Sequence, residues 1–247
     1  MKHLIAAVFI GLLFTNHVMA KDADWSDYAK ALEFVQQGKK HGTPLVVVDY
    51  AALKQNGQIE KAYQKISQFD VTQLQGHDEK LAFYINSYNI LALKMVLDHW
   101  PQKSIKDIGS FFSPVWKKEA GIIAGKTVSL DDVENKIIRP MGEPRIHLAI
   151  VCASVSCPDL RAEPYTAAKL NQQLNDQAKT FLANNKKGLV IQQGELKVSK
   201  IFKWFKQDFD KAGGVESFIR NYRTDLAGSV KIDDYLDYDW TVNALEK

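Results

Sequence analysis

The chain has two cysteines, Cys152 and Cys157, and both follow a histidine in the stretch HLAIVCASVSCPDLR, residues 147–161. A thiol close to an imidazole suits several chemistries. A thiol nucleophile needs a base within hydrogen-bond reach. RIHLAIVCA reads as a strand, and its period of two sends His147 and Cys152 to opposite faces. The thiol expected to meet His147 is therefore Cys157, folding back beyond the turn, with Asn86 or Asn89 as orienting group or oxyanion donor.

The same residues allow other readings. Four residues separate the cysteines, and Ala153, Ser154 and Ser156 are small enough for a loop that brings two Cα atoms within bridging distance. A Cys152–Cys157 disulfide, as a structural staple, is thus expected as the alternative to a free thiol. A redox-active pair normally keeps two residues between its cysteines and starts a helix after the first, whereas here Pro158 follows the second. For zinc the pair makes half a site, with His147 as a third ligand and no second cysteine pair. No metal and no cofactor is expected, and no phosphate-cradling glycine loop, G-x-S-x-G elbow or H-E-x-x-H motif occurs.

These residues need elements to carry them. EKLAFYINSYNILALKMVLDHWP predicts a helix that is apolar nearly all round, so it should be buried on most faces. Asn86 and Asn89 lie three apart inside that shell and must find partners, either irregular backbone or a site. SLDDVENKIIRP predicts a helix capped by Ser129 with Asp132 three residues on. Glu134 borders its buried stripe and Arg139 closes it, a pairing that suits an internal ion pair or a catalytic role.

Helices are also expected over 24–37, 56–69 and 165–183, the last with Thr166 as a possible cap, and over VESFIRNY. TPLVVVDY reads as a short strand, and GLVIQQGELKVS as a hairpin turning near Gln193 and Gly194. SKIFKWFKQDF reads as one basic amphipathic helix, with Phe202, Phe205 and Phe209 inward. SVKIDDYLDYDWTVN closes the chain as a short strand and an aromatic tail. The expected fold is α+β, a single domain of mostly helices packed around a small β-sheet, with a buried central helix.

Residues 1–20 have a charged start, an apolar run from Leu4 to Phe14 and small residues before Lys21, the layout of a cleavable signal peptide. The expected mature chain is 21–247, periplasmic or secreted after cleavage near Ala20. The apolar run is shorter than the roughly 20 residues of a membrane span, so no transmembrane segment is expected. With 32 basic and 29 acidic residues the net charge is +3, too even for a nucleic-acid partner. A small-molecule or peptide ligand fits better.

AFYINSYNILAL, SLDDVENKIIRP, RIHLAIVCASVSCPDLR, YTAAKLNQQL, SKIFKWFKQDF and YLDYDWTVN resemble, in order, successive blocks of the domain of unknown function 547 family, over about residues 81–243. The resemblance implies an exported single-domain protein; plant relatives carry the domain beside a coiled coil. It also implies that the histidine segment persists where the cysteines vary. Weight therefore shifts to a polar cluster of Asn86, Asn89, Glu134, Arg139, His147, Arg161 and Lys200. Two functional readings stand: a hydrolase or acyl-transfer enzyme with a His/Cys/Asn site, or a non-catalytic module binding a small molecule or peptide. A third is an interaction domain that docks through an exposed aromatic tail and basic helix.

Overall fold

A computed structural model describes residues 23–110, 113–226 and 231–246. The signal peptide expected over residues 1–20 lies outside them. The first expected helix is shorter than its apolar spacing suggests. Helix α1 (Ser26–Ala31) passes through one 3-10 turn into strand β1 (Val35–Lys40), which pairs antiparallel with β2 (Thr43–Val48). The β-branched run of β2 recruits its neighbour, a tertiary pairing that overrides local helical periodicity. Gly38 permits the close approach, since a Cβ there would lie 2.7 Å from a Val47 methyl.

Two helices follow. The Asp49 carboxylate accepts the Ala52 N–H and starts α2 (Tyr50–Asn56), and α3 (Gln58–Gln68) buries Ile59, Ala62 and Ile66 at helical spacing. The Glu79 carboxylate takes the N–H groups of Gln75 and Gly76 and opens α4 (His77–Asp98), the expected central helix, buried on most faces. The main core cluster is built around it.

The buried amides on α4 grip irregular chain. Asn89 donates from Nδ2 to the Ala149 carbonyl at 3.0 Å and accepts the Val151 N–H at 2.9 Å. Asn86 treats Tyr165 the same way, at 2.8 and 2.9 Å. Each amide substitutes for a missing strand or helix partner, so no buried peptide group at these points goes unpaired.

Strands β3 (Glu119–Ile123) and β4 (Lys126–Ser129) form a hairpin. The expected Ser129–Asp132 capping pair then starts the next helical segment, with Oγ and Oδ2 2.7 Å apart. That segment opens into wide π-type turns over Asp132–Ile138. The expected strand RIHLAIVCA does not form: Pro144–Leu148 is a 3-10 turn, begun by the Glu143 carboxylate accepting the Arg145 N–H. Proline after a capping acid is pre-set for such a turn. The parity that separated His147 from Cys152 therefore does not apply.

The C-terminal third is helical with one small sheet. Helix α5 (Leu170–Ala183) buries Leu170, Leu174, Ala178 and Leu182 as expected; Thr166 makes no side-chain cap, and a 3-10 turn over Ala167–Lys169 leads in. β5 (Leu189–Gln192) and β6 (Glu195–Val198) form the expected hairpin, with positive φ at Gln193 and Gly194. The expected single basic helix is two, α6 (Ile201–Trp204) and α7 (Lys206–Lys211), broken at Phe205. Helix α8 (Val215–Tyr222) follows, and β7 (Asp234–Tyr235) adds in parallel to β6. Leu148 and the aromatic faces of α6 to α8 make a second core cluster. The class is α+β, with the strands among the described residues in three small sheets. Among the described residues no helix is long and apolar enough to cross a membrane.

Replacing Asn89 by alanine strands one buried carbonyl and one buried N–H, each costing about 1–3 kcal/mol. Urea unfolding of Asn89→Ala should lose roughly 2–5 kcal/mol. A loss below about 1 kcal/mol would mean water replaces the amide and the anchor is not structural.

Candidate functional site

A cavity of about 310 Å³ opens where the two core clusters meet, and His147, Cys152, Cys157 and Glu134 all line it. Several separate parts of the chain build it. Tyr88 comes from α4, Glu134 from the π-type segment and Asp131 from the residue before it, the cysteines from their loop, Ile201 and Trp204 from α6, and Phe205 from the break after it. Tyr238 and Trp240 of the C-terminal tail close the wall with Trp116.

The tail is not the free docking element expected from the sequence. It lies along the cysteine loop: the Val155 N–H donates to the Thr241 carbonyl, the Ser156 N–H to Asp239, and the Asn243 N–H to Ala153. These bonds hold Ala153 at φ 55°, the left-handed region that costs an alanine roughly 1–2 kcal/mol. Beneath the loop, the buried Lys187 ammonium donates to the Cys157 carbonyl at 2.8 Å and to Asp159 at 2.6 Å.

His147 is 3% exposed, and its ring stacks on Phe205 with centroids 3.8 Å apart. The break between α6 and α7 turns Phe205 onto that ring. Burial drives the imidazole down to about 4, against the hydrogen bond to Asp208 that favours its charge. At neutral pH the ring is therefore neutral, and Nε2–H donates to Asp208 Oδ2 at 2.9 Å. That leaves Nδ1 as a lone pair with no hydrogen-bond partner. The nearest carboxylate oxygen to it is Glu134 Oε1, 3.8 Å away. Asp208 also takes Arg139 Nε at 2.6 Å, and Arg139 reaches the Asn135 side chain with its other end.

Glu134 is the second perturbed group. Burial pushes its carboxyl up to about 7, with the Arg139 charge opposing, and the Tyr88 hydroxyl lies beside it. Wide π-type turns recur at functional positions, and Glu134 sits within one.

The thiols differ from the expectation. Cys152 and Cys157 are free, not a disulfide. The Cys152 N–H donates to the Cys157 sulfur at 2.8 Å, an arrangement in which the loop is closed by a hydrogen bond. Cys152 is partly exposed, and its sulfur lies 3.0 Å from Ser154 Oγ and 3.3 Å from the Tyr238 hydroxyl. Burial works against its thiolate, yet hydrogen bonds from Cys157, Ser154 and Tyr238 outweigh it and hold Cys152 down to about 7. Cys157 is 4% exposed; burial and the adjacent Cys152 sulfur push its thiol well above the ordinary range. A reactive cysteine is an accessible one with a depressed pKa, so the geometry favours Cys152 over the expected Cys157.

The expected polar cluster divides. Glu134, Arg139 and His147 come together, joined by Asp208, which the sequence reading did not single out. Asn86 and Asn89 spend their amides on backbone and are not aimed into the cavity. Arg161 pairs with Glu163 and lines a separate cavity beside β1, and Lys200 pairs with Asp237. Among the described residues no group of three or more His, Cys, Asp and Glu is placed to hold a metal ion.

Residues 71–182 match the model of the family described as "Protein of unknown function, DUF547", which supports membership of that family. The match carries α4, Glu134, His147 and both cysteines. Phe205, Asp208, Tyr238 and Trp240 lie beyond it. No curated protein and no solved structure matches the chain.

Two pH experiments follow. Iodoacetamide should alkylate Cys152 alone in the folded protein, with a rate that rises through a midpoint near pH 7, and Tyr238→Phe should move that midpoint up. Peptide mapping that finds Cys157 labelled first would reverse the assignment.

The second concerns stability. With His147 near 4 folded and 6.5 unfolded, the unfolded chain binds the extra proton between those values, so stability falls as pH drops through that window. Glu134, near 7 folded and 4.5 unfolded, does the opposite: the folded state holds the proton, and stability falls as pH rises. The two slopes oppose each other between pH 4.5 and 6.5. Glu134→Gln removes one of them. Its unfolding free energy should then fall more steeply with acid than the wild type's, by about 1.4 kcal/mol per pH unit. Parallel curves for the two proteins would refute the pairing.

Proposed function

We propose that the cavity is the active site of a thiol-dependent hydrolase or acyl-transfer enzyme, with Cys152 as nucleophile and His147 as its base. One observation carries the reading: a buried imidazole, fixed through Nε2 by Asp208 and with no hydrogen-bond partner on Nδ1, belongs to a residue that lines the same cavity as a thiol of depressed pKa. That division of labour, with a base oriented by a third group, is what nucleophilic catalysis requires.

The chemistry would run in two steps. The Cys152 sulfur adds to the acyl carbon of an ester, thioester or amide; the C–S bond forms, the bond to the leaving group breaks, and His147 carries the thiol proton to that group. Water or another nucleophile then gives its proton to His147 and cleaves the thioester, restoring Cys152. Glu134 is placed to share a proton with Nδ1 between steps, being a carboxyl that titrates near neutrality in the same cavity. Expected absence of the cysteines from some relatives confines this reading to chains that carry Cys152.

The cavity itself favours a second reading. Its wall is largely aromatic, and the two buried asparagines expected to help an oxyanion are committed elsewhere, which also suits a module that binds without turnover.

One experiment separates them. Incubated with p-nitrophenyl acetate, the protein should release a burst of p-nitrophenol and show an acetyl adduct on Cys152 by peptide mass spectrometry. Cys152→Ser should abolish both, and His147→Ala should lower the rate by at least about a hundredfold while Cys157→Ala keeps it. No adduct and no burst in folded protein would leave the binding module. The intact mass of the same material, expressed with its leader, should begin at Lys21 if residues 1–20 direct export.

A further inference from the structure

The walls of the cavity carry a charge pattern that thiol chemistry does not need. Six aromatic side chains line it: Tyr88, Trp116, Trp204, Phe205, Tyr238 and Trp240. Its charged lining is acidic, Asp131 and Glu134, and none of the described lysines and arginines lines it. Arg139, close by, spends its charge on Asp208 at 2.6 Å.

The indoles form a connected wall. Trp240 lies 5.7 Å from Trp204, 4.4 Å from Tyr238 and 6.0 Å from Trp116, centroid to centroid, in tilted or stacked contacts. Trp204 is 46% exposed, one of two large apolar side chains left so open among the described residues. An indole ring is costly to leave in water unless something covers it. The wall already takes one cation: Lys106 places its ammonium 3.9 Å from the centre of the Trp240 ring.

We infer that the cavity binds the positively charged end of a small organic molecule, an alkylated ammonium group, seated among Trp116, Trp204 and Trp240 with Asp131 as its counter-charge. Aromatic faces present negative charge to a cation, and an alkylated ammonium sheds its water more cheaply than a bare one. The Asp131 carboxylate at the same wall repels anionic ligands and adds to the attraction. At about 310 Å³ the space stands at the small end of ligand pockets, so the ligand is a compact one. This inference rests on the cavity being the functional site, as proposed above, but makes no use of the thiol.

The test uses the Cys152→Ser protein, so that binding is read without turnover. Choline and its neutral isostere 3,3-dimethylbutan-1-ol are titrated separately, followed by tryptophan fluorescence and calorimetry, with acetate as the anionic control. Choline should bind about tenfold more tightly than the isostere, the difference a cation contributes at an aromatic face. Acetate should not bind. Trp204→Ala should weaken choline severalfold, and Asp131→Asn should weaken choline while sparing the isostere. Equal binding of choline and the isostere would overturn the inference in favour of a plain apolar pocket, and so would a failure of choline to bind at all. An acetyl adduct on wild-type Cys152 without choline binding would remove this inference alone. Choline binding without an adduct would keep it and remove the enzyme reading.

Discussion

Two carboxamides buried on one face of the central helix hold the chain that carries the site. Asn86 and Asn89 sit at 0% and 1% exposure, where an unpaired amide would cost several kcal/mol. Each meets its need by pairing with both sides of an irregular stretch, Tyr165 for one and Ala149 with Val151 for the other. Val151 is the residue before Cys152. The polar requirement of the core helix thereby fixes where the thiol stands, and the cavity is a consequence of how the core is satisfied.

Desolvation then tunes the groups so placed. The same burial that lowers His147 raises Glu134, because one is charged when protonated and the other when not. A neutral base and a half-protonated acid result, 3.8 Å apart at their nearest ring nitrogen and oxygen. Cys152 escapes the rule through three hydrogen bonds to its sulfur, while Cys157, deeper and next to a sulfur already inclined to ionise, follows it. Two thiols with four residues between them are thus shifted in opposite directions.

Much of the fold was readable beforehand. The all-round apolar pattern of 79–101, the Ser129 and Asp132 spacing and the Gln193–Gly194 turn are local signals, and each formed as read. The strand expected at His147 failed because β-branched and apolar spacing over nine residues cannot be told from a buried 3-10 turn; Glu143 and Pro144, a capping acid before proline, were the available cue. The helix expected at 199–209 failed at Phe205, where stacking on His147 decides the backbone, and no property of SKIFKWFKQDF encodes a partner more than fifty positions away.

By itself the sequence determined the α+β class, the family resemblance and the central helix with its two amides, and it singled out His147, the two cysteines and Glu134 as candidates. Those follow from residue types and short-range spacing, which side-chain chemistry and helical periodicity read directly. Tertiary structure alone decided that Asp208 orients the imidazole, that Cys152 is the less buried thiol, and that Trp204, Tyr238 and Trp240 wall the cavity. Each depends on segments tens of residues apart meeting, and the energies that choose such contacts, desolvation and packing, are properties of the assembled core.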